Sequence, residues 1–162
     1  MQSHRIRAAR RAVILAGVAA AAFFAASSAK AQSVPTNARE QAAFDVRFLQ
    51  TEFMVAALSC GRPDYQSFYN TFVTRFGAQL KRHAEELKAH FNREYGKQGD
   101  NKLDGFATQL ANQASLRNMR QLTFCQDTGL VMERGAALGP TSLDSVSTSF
   151  ARSIETVAVI GR

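Results

Sequence analysis

The chain has 162 residues, 46% of them hydrophobic, with no tryptophan and a formal net charge of +7. That length suits one domain with one core and is short for two. Much of the charge belongs to the N-terminus: Arg5, Arg7, Arg10, Arg11 and Lys30 precede residue 32, and without them 15 basic residues face 13 acidic ones, a balance of +2. Such a balance does not argue for the concentrated basic face that a phosphate backbone requires, so no nucleic-acid partner is expected.

The four arginines, with no acid among them, are followed by an unbroken apolar run from Ala12 to Ala26 and then by Ser27, Ser28, Ala29, Lys30 and Ala31. This is the order of a secretory signal peptide, with an A-x-A cleavage site ending at Ala31. The apolar run is shorter than the ~20 residues a helix needs to span a bilayer, and no longer one follows, so no membrane anchor is expected. The Arg10-Arg11 pair leaves both the general secretory and the twin-arginine routes open. Residues 1–31 are thus expected to leave, and 32–162 to form a single helical domain in the periplasm or outside the cell.

In the mature part Pro35, Pro63 and Pro140 fall between apolar helical patterns and punctuate them. Asn37 can cap a first helix, with Glu40 three residues on as in a capping box. Phe44, Phe48, Thr51, Val55 and Leu58 then recur at helical steps, so the helix is predicted over 37–60, ended by Gly61 and Pro63. The stripe Tyr65, Phe68, Phe72, Phe76, Leu80, Leu87 and Phe91 predicts a second helix over 64–95, long enough that a bend at Gly77 would be unsurprising. Asp100 or Asn101 can cap a third over 101–114, with a break at Ser115. Leu116, Met119, Leu122, Cys125, Val131 and Met132 give a looser fourth over 116–134. Thr141 or Ser142 can cap a last helix over 142–158, although Thr156 to Ile160 is β-favouring. Short loops between amphipathic helices, with no alternating strand pattern, predict an all-α fold: one antiparallel bundle of four to five helices.

Cys60 and Cys125 are an even pair in an exported chain and are expected to form a disulfide. His83, Glu86 and His90 fall within about 60° on one helix face and offer donors suited to zinc or copper, the one cofactor the residues would accommodate. Against this, seven residues set the histidines roughly 10.5 Å apart along the axis, and Phe76, Leu80 and Leu87 share that side, as for histidines that flank a core. Phe68, Phe72 and Phe76 would line a groove for an apolar ligand or a protein partner if their stripe exceeds what the core can cover.

No Gly-x-Ser-x-Gly elbow, His-Glu-x-x-His pair, phosphate-cradling glycine loop or haem-attachment motif is present. Leu122-Thr123-Phe124-Cys125-Gln126 resembles the Leu-Thr-x-x-Gln pattern of small helical periplasmic chaperones over those five residues, and no residue role is carried across on that basis. The expected function is therefore non-enzymatic binding of a protein or an apolar ligand. A metal-binding bundle is the first alternative and a hydrolase with dispersed catalytic residues the second. Intact-mass measurement on the exported protein should find a chain beginning at Gln32, two hydrogens lighter than its reduced form.

Overall fold

The computed structural model describes residues 34–35, 37–137, 139 and 143–160, with side chains up to 154; the leader and the Thr141 and Ser142 caps lie outside the described residues. The described part is all-α. It comprises α1 (Ala38–Ser59), α2 (Pro63–Tyr95), a 3-10 turn (Gly96–Gln98), α3 (Gly99–Arg120), α4 (Phe124–Ala137) and α5 (Leu143–Ile160).

Local signals set most of the boundaries. The Asn37 side chain accepts hydrogen bonds from the Arg39 and Glu40 amides at 3.0 Å, satisfying two of the donors that a helix start leaves unpaired. Gly61 takes φ +64°, which a Cβ would disfavour, and lets the chain reverse into Pro63, whose missing N–H is harmless in a first helical turn. α2 continues through Gly77, and Gly96 ends it at φ +54°. Gly99 then passes so near α2 that a Cβ there would stand 2.7 Å from the Asn92 Cα.

Two expectations are corrected. The break placed at Ser115 is absent: the hydroxyl donates back to the Ala111 carbonyl at 2.9 Å, a bond that a continuous helix accommodates, and α3 runs on to Arg120. The chain turns instead at Gln121–Thr123, so Cys125 sits in the first turn of α4 rather than midway along a helix. The β-favouring stretch from Thr156 to Ile160 lies within α5, where the helix already in progress decides the backbone over residue propensity.

Cross-helix contacts give the helix directions. Glu40 meets His90 near one end of α1 while Phe53 meets Phe72 further along, so α1 and α2 are antiparallel. Phe44 with Phe106 and Glu52 with Arg117 make α3 parallel to α1. Cys60 with Cys125, and Phe53 facing Gly135, send α4 back along α1. Asp45 with Thr148 and Phe53 with Phe150 make α5 parallel to α1 again. Thus α2 and α4 run against α1 while α3 and α5 run along it, and α1 has buried positions on most of its circumference. The main core gathers Val46, Leu49, Phe53, Phe72, Phe76, Phe124, Met132 and Phe150. A smaller cluster of Ala43, Leu87 and Phe91, with Phe44 and Phe106 against it, fills the end where α1 begins.

Cys60 and Cys125 form the expected disulfide, with Cα atoms 5.7 Å apart across 65 residues of chain. Closing a loop of that length restricts the unfolded chain by about 4 kcal/mol in the chain-entropy treatment. Changing both cysteines to serine should lower the unfolding free energy by that order, read as a lower midpoint in a denaturant titration with little change in far-UV circular dichroism.

Candidate functional site

The titratable groups in the interior are engaged pairwise. Glu40 is buried at the start of α1; its Oε2 lies 2.9 Å from His90 Nδ1, and its Oε1 accepts from Arg93 at 2.9 Å and from Asn37 Nδ2 at 3.0 Å. Arg93 Nη2 lies 2.9 Å from the same Nδ1, so the three side chains form one cluster. The hydrogen bond to Glu40, outweighing the burial that opposes it, raises the Arg93 pKa above its ordinary value. Glu52, with no exposed surface, holds Arg117 through both guanidinium Nε, at 3.4 Å, and NH2. That guanidinium lies 5.1 Å from the Phe48 ring centroid, and its burial lowers its pKa below the ordinary value. Asp45 accepts from Gln41 and Thr148 at 2.8 Å each.

The structure separates the residues that the sequence suggested as a metal set. His83 is buried on α2 with Nε2 2.9 Å from Asp144 of α5, whereas His90, two turns on, is taken by Glu40 of α1. Glu86 is half-buried between them and joins neither pair. Among the described residues no group of three His, Cys, Asp or Glu side chains is placed to hold a metal ion. The physical reason is axial: at 1.5 Å per residue, positions seven apart face different neighbours even on one stripe.

The proposed groove of Phe68, Phe72 and Phe76 is also corrected. Phe72 and Phe76 are each 1% exposed, lie tilted against one another with centroids 5.3 Å apart, and belong to the core, with Phe68 half-buried at its edge. The stripe is covered because α1 and α4 both pack on that part of α2. On the opposite, outer side of α2, Pro63, Gln66, Ser67, Asn70, Thr71, Thr74 and Arg75 line a shallow open depression that offers hydroxyls, amides and one guanidinium.

The unusual surface lies elsewhere. Leu122 in the α3–α4 turn is fully exposed, Met119 is 80% exposed, Leu58 74% and Leu116 44%. Leu58 is two residues from Cys60 and Leu122 three from Cys125, so the disulfide draws them to one end of the bundle. Together they expose roughly three large apolar side chains, whose withdrawal from water would be worth about 5–9 kcal/mol. The looseness of the Leu116, Met119, Leu122 pattern was the available signal: these residues fit no shared helical face because they do not face the core.

The charges at this end are mostly matched. Arg62 pairs with Asp64 at 2.6 Å, holding that carboxyl below the usual carboxylate range, and Arg117 is taken by Glu52. Arg120 and Asp127, on either side of the turn, are exposed and make no ion pair with a described residue. No helix among the described residues is long and apolar enough to cross a membrane. No protein-family model, curated protein or solved structure matches the chain.

The burial of the two carboxylates ranks their contributions. Glu40→Ala should destabilise by about 3 kcal/mol, because it removes a buried carboxylate that engages His90, Arg93 and Asn37 together. Asp144→Ala should lose no more than about 1 kcal/mol, since its carboxylate is half in solvent. Thermal unfolding of the two variants side by side checks the order, and equal losses would contradict it.

Proposed function

We propose that the protein works without catalysis, as an interaction protein of the periplasm or the extracellular space, and that its working surface is the apolar end formed by Leu58, Leu116, Met119 and Leu122. The observation that carries this reading is Leu122, a leucine held wholly in water on a short turn between two helices. A fold that buries its phenylalanine stripes so completely would gain from burying this residue as well, and large apolar side chains left in water in a group mark sites where something else binds.

The compartment is supported by the N-terminal pattern, in which basic, apolar and small residues follow in the order of a secretory leader. The disulfide supports it independently, since a structural cystine is typical of oxidising surroundings. The disulfide also bears on how the surface would act: with the end of α1 tied to the start of α4, the apolar side chains are presented on a preorganised scaffold and need little ordering on binding.

Binding of anilinonaphthalene sulfonate and of a short leucine-rich peptide to the dilute exported protein tests the assignment. Met119→Asp with Leu122→Asp should weaken both at least about tenfold while leaving far-UV circular dichroism unchanged. Leu130→Asp, on the outer side of α4 and 46% exposed, should leave both unaltered. Binding that survives the first change, or that falls equally with the second, would refute the assignment.

A further inference from the structure

Resting on that reading, we infer that the apolar end receives a second copy of this chain, paired about a two-fold axis near Leu122 with Arg120 of each copy against Asp127 of the other. A two-fold interface brings each residue of a patch against another of the same patch twice over, so a surface suits it when it is complementary to itself. The α3–α4 turn has that character. Arg120 closes α3, Leu122 stands fully exposed on the turn, and Asp127 lies in the first turn of α4. The cation and the anion are both exposed and neither has an ion-pair partner among the described residues.

Of the other charges near this end, Arg62 is matched by Asp64 within the chain and Arg117 by Glu52, while the exposed Glu133 lies close enough to Arg62 to act on its charge. Beside the apolar centre stand Arg120 and Asp127, exposed, of opposite sign and without an ion-pair partner among the described residues. A partner surface of a single sign, whether an acidic polypeptide or an anionic membrane, would satisfy one of these charges and oppose the other. A second copy satisfies both. Symmetry also doubles the apolar surface withdrawn from water, because Leu58, Met119 and Leu122 of each copy are covered in the same event.

Sedimentation velocity on the exported protein, from about 1 to 200 µM, reads the association directly. The wild type should pass from monomer to dimer over this range, and Leu122→Asp should weaken dimerisation at least about a hundredfold. Arg120→Asp and Asp127→Arg should each weaken it about tenfold, and the two together should return it to within about threefold of wild type. Unchanged thermal midpoints keep the variants comparable.

A wild type that stays monomeric at the highest concentration overturns the inference, as does a double charge exchange no tighter than either single change. The two readings separate cleanly. A monomer that still binds the leucine-rich peptide through Leu122 would overturn self-association and leave the interaction surface standing. A monomer that binds neither peptide nor dye would remove both.

Discussion

Carboxylates carried into a protein interior have to be matched there, because an ionised group without a partner in low dielectric is too costly to keep. Helix α1 carries three of them, Glu40, Asp45 and Glu52, and each is met by a different neighbour: α2 through His90 and Arg93, α5 through Thr148, and α3 through Arg117. Only α4 is held to α1 by other means, the disulfide and the packing of Phe53 against Gly135. Apolar packing supplies the driving force, but it is tolerant of helices sliding or rotating. Polar pairings to a buried carboxylate are far less tolerant, and they fix the places of α2, α3 and α5 along α1.

The two ends of the α1–α2 hairpin are consequently different in kind. Where α1 begins, Glu40, His90 and Arg93 close the hairpin within a shell of Phe44, Phe91 and Phe106, with His90 entirely buried. The opposite end is closed by a three-residue loop and a covalent link, which hold the backbone whether or not side chains cover it. That difference allows the second end to leave leucines and a methionine in water. Apolar side chains needed to hold an end together would have to turn inward, whereas beside a cystine they need not.

The long histidine-bearing helix illustrates how a correct local reading can lead to the wrong site. His83, Glu86 and His90 do share one angular sector of α2. What that sector faces changes along the axis, from α5 at His83 to α1 at His90, and periodicity carries no information about it. The phenylalanine stripe was legible as apolar and helical for the same reason. Whether it formed core or groove depended on how many helices pack over it, a count that no property of α2 itself can supply.

Glu40 shows the two levels in a single residue. Its place three positions after Asn37 marks it as the acid of a helix start, and the Asn37–Glu40 contact is present. Its larger role, as the buried partner of an imidazole 50 residues away, is invisible in the sequence. The sequence by itself determined the properties that are local or countable: the leader pattern, the helical period, the proline and glycine punctuation, the cap at Asn37 and the even pair of cysteines. These rest on dihedral preferences, on side-chain spacing and on redox chemistry, all of which act within a few residues or on the chain as a whole. The tertiary structure alone decided which buried acids meet which bases, which apolar stripe is covered, and which leucines remain in water. Those outcomes depend on the placement of one helix against another, where neighbours distant in sequence compete for the same surface.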